Sequence, residues 1–91
     1  KLYFSKNGTF QNSGDPTSGS TGTGAISITS GLEYFIATSA YGSGKGASAN
    51  FGSPSFSISS GNSDANGYGN FEYSVPTGFY SINTKNLAEF G

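Results

Sequence analysis

The chain has 91 residues, of which 15 are Gly and only 10% are charged, and its net charge is −1. This composition is typical of short strands joined by many turns, and it excludes a protein built from solvated helices. The four Lys residues are scattered, so we predict no nucleic-acid binding. No apolar run reaches membrane-spanning length, which predicts no membrane insertion. The absence of Cys excludes a disulfide framework.

The apolar content of the chain is aromatic rather than aliphatic, with eight Phe and six Tyr. This share argues against simple disorder. The surface that these side chains could bury nevertheless falls short of offsetting the conformational entropy of ordering the whole chain. We therefore expect a covering surface from further sequence or from a neighbouring subunit.

The first predicted element is a two-stranded ribbon over residues 2–14. Asn7-Gly8 lies between its two aromatic strands and tolerates the positive φ angles of a tight hairpin turn. Because the chain opens at Lys1 inside this ribbon, we expect it to be part of a larger β-structure. A polar surface loop follows over residues 12–24, and residues 25–29 alternate with period two, as in a half-buried strand.

The middle of the chain contains the best candidate for a central strand, at residues 32–41, which are apolar on both faces. Residues 42–46 are predicted to form a turn. Two further short strands are expected around residues 47–51 and 56–58, before a second polar loop at residues 59–70.

The C-terminal part is predicted to hold a one-sided strand at residues 71–75 and a last strand at residues 79–82. Asn83 or Thr84 is suited to cap one helical turn after that strand. Six or seven short strands separated by polar turns predict an all-β fold, an antiparallel β-sandwich or jelly roll.

Catalytic chemistry has few candidates in this sequence. The titratable acids are Asp15, Glu33, Asp64, Glu72 and Glu89, and there is no His or Cys. A glycosidase pair such as Glu33 and Glu72 is conceivable because two carboxylates suffice, but their spacing gives it no support. A serine nucleophile would lack its usual His base. We therefore predict a non-enzymatic protein.

A calcium site is the metal alternative to consider. The spacing of Asn62, Asp64, Asn66 and Gly67 matches the first half of an EF-hand loop. The bidentate Glu expected at the twelfth position is replaced by Tyr73, and a strand rather than a helix is predicted to follow. An Asx-type turn accounts for the same residues, so we predict no metal and no cofactor.

A glycan-binding site is the ligand alternative. Exposed tyrosines such as Tyr41, Tyr68 and Tyr80 could stack on sugar rings, while Asp64 and Asn66 supply hydrogen bonds to sugar hydroxyls. The candidate ligand-binding residues are thus Tyr41, Asp64, Asn66 and Tyr68. Packing of the aromatic rings and anchoring of turns explain the same residues without any ligand.

Several motifs of the chain resemble SPRY-type domains. Residues 2–16 contain Phe-Ser-Lys-Asn-Gly, similar to the F-x-K-N-G hairpin in the second half of that concanavalin-like sandwich, and residues 32–37 are similar to the strand that follows it. Residues 49–52 resemble the family's closing N-F-G strand. Residues 64–73, 76–80 and 83–87 resemble the tail of SPRY-like domains in tailed-phage proteins. One departure is Ile36, where the family commonly has Pro.

The resemblance implies that residues 1–91 are the C-terminal portion of one SPRY-like β-sandwich, since the first half of the family's sandwich is absent. It also implies a non-enzymatic component exposed on the surface of a phage particle, such as a decoration, tail or fibre protein. Expected partners are other virion proteins, through homo-oligomer or lattice contacts. A receptor module that binds a host surface glycan is the alternative.

Overall fold

The N-terminal hairpin contains both strands of the only sheet. In the computed structural model, which describes residues 1–91, β1 (Ser5–Lys6) pairs with β2 (Thr9–Phe10) in antiparallel register, with Ser5 opposite Phe10. Asn7 and Gly8 adopt φ values of 50° and 79°, as both central residues of a type I′ turn require. The predicted hairpin is confirmed, although each strand is only two residues long.

The loop after the hairpin folds back onto the chain start. A 3₁₀ turn at Gln11–Ser13 leads into it, and the Asp15 amide donates to the Thr23 carbonyl at 2.9 Å. Leu2 and Ile26 then exchange two backbone hydrogen bonds of 2.8 Å. The strand predicted at residues 25–29 is therefore reduced to a single bridge.

The middle of the chain has no backbone pairing. No residue from 27 to 61 takes part in a backbone–backbone hydrogen bond. The strands predicted at residues 32–41, 47–51 and 56–58 are consequently absent.

The C-terminal third is organised by one bridge and one helix. Asn62 and Phe71 form an isolated antiparallel bridge, and α1 covers Thr84–Phe90. The Asn83 side chain caps α1 by accepting a hydrogen bond from the Asn86 amide at 2.9 Å. The predicted cap and helical turn are confirmed, whereas the strands predicted at residues 71–75 and 79–82 are not formed.

The predicted β-sandwich or jelly roll is wrong for this chain, which has a two-stranded sheet and one short helix. Period-two alternation specifies a strand only where a neighbouring strand supplies backbone partners and side-chain packing. Within these 91 residues the apolar segments are separated by long Gly- and Ser-rich stretches, so their backbones do not meet.

The interior of the molecule is polar. Asp64 and Asn86 are the two buried residues, and no apolar side chain is buried. The aromatic residues form loose edge-on contacts instead, with the Tyr3 ring 6.5 Å from that of Phe10 and 6.3 Å from that of Phe79. The best-packed part of the structure is thus a hydrogen-bonded cluster around Asp64.

Candidate functional site

The carboxylate of Asp64 lies at the centre of a hydrogen-bond network. Its Oδ1 accepts hydrogen bonds of 3.0 Å from the amides of Asn66 and Tyr68. Its Oδ2 accepts from the Ser81 amide at 2.9 Å, the Ser81 hydroxyl at 2.8 Å and the Asn86 Nδ2 at 2.7 Å. Five donors thus converge on a side chain that is only 5% exposed.

Asn86 connects the helix to this network. Its Nδ2 also donates to the Ser81 carbonyl at 2.9 Å, and its Oδ1 accepts from the Asn66 Nδ2 at 2.8 Å. We refer to Asp64, Asn66, Ser81 and Asn86 as the Asp64 cluster. It joins the loop at residues 64–68, the segment before the helix and the first turn of α1.

Local sequence explains how Asp64 reaches its donors. The Asp64 side chain closes an Asx turn on the Asn66 amide, and Gly67 supplies the positive φ of 80° that lets the chain return at Tyr68. The Tyr68 carbonyl then accepts from the Asp64 amide at 2.9 Å. Because the Asn83 cap starts α1 at Thr84, Asn86 falls in the first turn, facing the carboxylate.

The electrostatics of Asp64 follow from these contacts. Burial by itself raises the pKa of the carboxyl, but the Ser81 amide, the Asn86 side chain, the Tyr68 amide and the Ser81 hydroxyl together hold it far below the ordinary value of 3.8. Two carboxylate oxygens offer about four acceptor sites, and N–H and O–H donors occupy them. Asp64 thus anchors a turn and has no lone pair free for a cation or a sugar hydroxyl.

The other members of the calcium-like spacing are also used within the chain. The Asn62 Nδ2 donates to the carbonyls of Phe71 and Glu72 at 3.2 and 3.0 Å, and the Asn66 amide group donates to Asn86. No group of three or more His, Cys, Asp or Glu side chains is positioned to hold a metal ion. The arrangement is the Asx-type turn that the sequence offered as the alternative.

Glu72 closes the second loop of the C-terminal part. The Ser59 hydroxyl and amide and the Ser60 hydroxyl all donate to its carboxylate, the amide at 2.8 Å and the Ser60 hydroxyl at 2.9 Å. The bond from the Ser59 hydroxyl, followed by those from the Ser59 amide and Ser60, lowers the pKa of Glu72. The conceivable glycosidase partner of Glu33 is thus engaged by its own loop.

Tyr68, one of the predicted ligand-binding residues, lines a cavity. The cavity has a volume of about 510 Å³, and Phe51, Asn83 and Lys85 also line it. The Lys85 Nζ lies 5.5 Å from the centre of the Tyr68 ring. A hydrogen bond to Glu89, followed by burial and the charges of Glu89 and Asp64, raises the pKa of Tyr68.

The four predicted site residues do not form one site. Asp64, Asn66 and Tyr68 lie together, but Asp64 and Asn66 face the interior network rather than the cavity. Asn66 lines a second cavity with Tyr80 and Phe90, and Tyr41, which is 96% exposed, lines neither cavity.

Sequence reasoning missed Ser81 and Asn86, the two residues that complete the Asp64 cluster. The position of Asn86 three residues after the helix cap is a signal that could have placed it in the first turn. No pattern in the sequence marks Ser81.

Comparison of the chain with protein-family models, with curated proteins and with solved structures gives no match. The resemblance to SPRY-type domains therefore stays a prediction from motifs. The one α-helix is too short to cross a lipid bilayer.

Proposed function

We propose that this chain is a non-enzymatic structural protein that acts by adhering to other protein chains, as a surface component of a phage particle. The observation that carries this proposal is its exposed apolar surface. Seventeen large apolar or aromatic side chains are exposed and none is buried. Soluble monomers rarely leave extensive apolar patches uncovered, and such patches mark interaction surfaces.

The environment of the acidic residues supports a structural rather than a catalytic role. The two carboxyls with lowered pKa values, Asp64 and Glu72, are held by backbone and side-chain donors of this chain. A general acid or base needs a free oxygen directed into a cleft and a pKa near the working pH. Both carboxylates instead fasten segments of the chain together.

The phage setting rests on the sequence resemblance alone. The motifs at residues 64–73, 76–80 and 83–87 supply it, and in the structure the first and the third of these segments meet through the hydrogen bond from Asn86 to Asp64. Adhesion through an exposed apolar surface is compatible with a decoration, tail or fibre protein that binds its neighbours in an assembly.

The test of this proposal is to locate the chain in purified particles. Peptides of the chain should co-sediment with phage particles on a density gradient, in a constant ratio to the major capsid protein across the particle peak. If the peptides occur only in the soluble fraction of infected cells, the proposal is wrong.

Glycan binding is a second candidate because the cavity beside Tyr68 combines aromatic and polar groups. Phe51 and Tyr68 supply apolar faces, while Asn83 and Lys85 supply hydrogen-bond donors. On a glycan array, binding that Tyr68→Ala abolishes and Tyr41→Ala leaves unchanged would support a sugar site in this cavity. Equal binding by both variants, or no binding by the unaltered chain, would exclude it.

A further inference from the structure

Residues 32–37 combine an exposed apolar sequence with an unpaired backbone. Leu32, Phe35 and Ile36 are 63%, 88% and 75% exposed, and Tyr34 is about half exposed. None of these six residues makes a backbone–backbone hydrogen bond. The Tyr34 hydroxyl donates to the Thr29 carbonyl at 2.7 Å, which fixes the entry to the segment across the turn at Gly31.

Nothing in this segment protects it from pairing with another strand. Natural proteins block exposed strand edges with Lys, Pro, bulges or covering elements. The chain has no Lys between residues 7 and 44, and Glu33 is the sole charge in residues 32–37. Half of the segment is aromatic or β-branched (Tyr34, Phe35 and Ile36), and it contains neither Gly nor Pro, as is typical of strands.

We infer that residues 32–37 pair as an antiparallel β-strand with the same residues of a second copy of this chain. This inference rests on the proposed adhesive function and names the surface and the partner. The low net charge of −1 leaves little repulsion between copies.

The segment can pair with its own copy under two-fold symmetry. Hydrogen-bonded and non-hydrogen-bonded pairs alternate along an antiparallel ladder. Under two-fold symmetry the pair formed by residues i and j and the pair formed by j and i are equivalent, so i and j differ by an even number. One residue therefore lies opposite its own copy, and the two-fold axis passes between the two. The central residue is then Tyr34 or Phe35. In both registers the apolar side chains of Leu32, Tyr34 and Ile36 from both copies lie on one face of the ribbon.

Charge selects the antiparallel arrangement over the parallel one. With Tyr34 at the centre, Glu33 lies opposite Phe35, and with Phe35 at the centre it lies opposite Ala37. A parallel in-register pair would instead place the two Glu33 carboxylates side by side, which is destabilising.

The exposed area of the segment is of the size that a weak dimer buries. Tyr34 and Phe35 are 55% and 88% exposed. At about 200 Å² for each ring, they present roughly 290 Å², to which Leu32 and Ile36 add. This area is below the roughly 800 Å² per partner of a standard interface, so we expect an association that depends strongly on concentration.

Sedimentation velocity of the full 91-residue chain over a concentration series tests self-association. We expect a species of twice the 9.3 kDa chain mass that grows with concentration. Only alternate N–H groups of an antiparallel strand face the partner, so Ile36→Pro removes a ladder donor if the even-numbered residues face it, and Phe35→Pro does so if the odd-numbered residues face it. One of these two variants should raise the dissociation constant by about tenfold or more. Ser48→Pro, in the same unpaired stretch but outside the segment, should leave it unchanged. A chain that remains monomeric, or effects of both segment variants no larger than that of Ser48→Pro, would overturn the inference.

Disulfide trapping tests the register, because the chain has no Cys of its own. Single Cys variants at each position from 32 to 37 are oxidised, with Ser48→Cys as the control. An antiparallel pair predicts that disulfide-linked dimers form fastest for Tyr34→Cys or Phe35→Cys and that the rate falls at positions on either side. Uniform rates along the segment would indicate parallel pairing, and rates equal to that of the control would indicate none; both results contradict the inference.

The two proposals fail separately. If the proline variant that loses self-association still co-sediments with phage particles, both proposals are supported. Self-association through residues 32–37 and adhesion to particles are then separate properties of the chain. If the unaltered chain binds particles but never self-associates, the inference is wrong and the proposed function is retained. Self-association without particle binding contradicts the proposed function alone.

Discussion

Two regions of this molecule differ in whether their hydrogen-bonding groups find partners within the chain. Around Asp64, polar side chains and amides are buried and paired, with five donors on one carboxylate. Along residues 27–61, no backbone–backbone hydrogen bond is made, and Phe35 and Tyr41 are almost fully exposed. The Asp64 cluster is complete within the chain, whereas residues 32–37, in the middle of the chain, leave their backbone groups and apolar side chains available to a partner.

The difference shows what a short, Gly-rich chain can fold by itself. A turn-based polar network needs only a few donors at fixed positions: Asp64 meets Asn66 and Tyr68 within its own turn and Ser81 from 17 residues further along the chain. A buried strand needs neighbours on both edges and cover on both faces. The first requirement is met within 91 residues and the second is not.

Removal of the Asp64 charge is expected to have the largest effect. In Asp64→Asn one oxygen becomes an amide group that faces the donors of Ser81 and Asn86, so buried donors lose their acceptor. By NMR-detected hydrogen exchange, protection factors of the Tyr68 and Ser81 amides should fall by about tenfold or more.

The matched control for that variant is Asp15→Asn. Asp15 is exposed, and its Oδ1 alone accepts from the Thr17 amide and hydroxyl, so an amide at this position retains the acceptor. We expect no change beyond Thr17. Equal losses in the two variants would mean that burial of the Asp64 cluster adds nothing to its stability.

Acid is expected to loosen the same region in a defined order. Because the folded-state pKa values of Asp64 and Glu72 are lowered, their stabilisation is complete above the ordinary values of 3.8 and 4.5 and is lost as pH falls below them. Protection of the Ser59 amide should therefore decline first, below about pH 4.5, followed by that of Ser81. In Glu72→Gln the first decline should disappear. Stability that rises on acidification would contradict the assigned direction.

Gly8→Ala tests the contact between the hairpin and the C-terminal part. Gly8 has a φ of +79°, and an added Cβ would lie 2.7 Å from the Tyr73 ring. Strain and this clash should lower the free energy of opening the hairpin by about 1–3 kcal/mol, measured by exchange of the Gln11 amide. Gly31→Ala, with a φ of +81° and open space around it, should leave that amide unaffected.

The smallest effect is expected at the helix cap. Asn83→Ala removes the acceptor for the Asn86 amide and should cost about 1 kcal/mol, a loss of about fivefold in the protection of the Leu87 amide. Asn83→Asp keeps an acceptor oxygen and should retain most of the protection. If both variants behave alike, the cap does not stabilise α1.

Local signals in the sequence predicted local structure correctly. Asn7-Gly8 predicted the hairpin turn, and Asn83 predicted the start of the helix, because both depend on the conformations of adjacent residues. The strands at residues 32–41 and 71–75 were predicted wrongly because alternation describes what a segment would bury and does not supply the strand beside it.

The Asp64 cluster, like the fold, was predictable only where it depends on adjacent residues. Asp64 and Asn66 stood out through the spacing typical of an Asx turn, and the structure places them together. Their partners Ser81 and Asn86 come from sequence 15 or more residues away, and the contacts depend on how the loop and the helix pack. Only the folded chain reveals that the carboxylate is fully engaged.

This chain is ordered around Asp64 and open to a partner in its middle. The most direct test is a residue-by-residue hydrogen-exchange profile of the unaltered chain at a concentration where it is monomeric. We predict that the Tyr68, Ser81 and Asn86 amides are protected at least about tenfold more than those of residues 32–37. Equal protection in the two regions, or stronger protection in residues 32–37, would contradict the account.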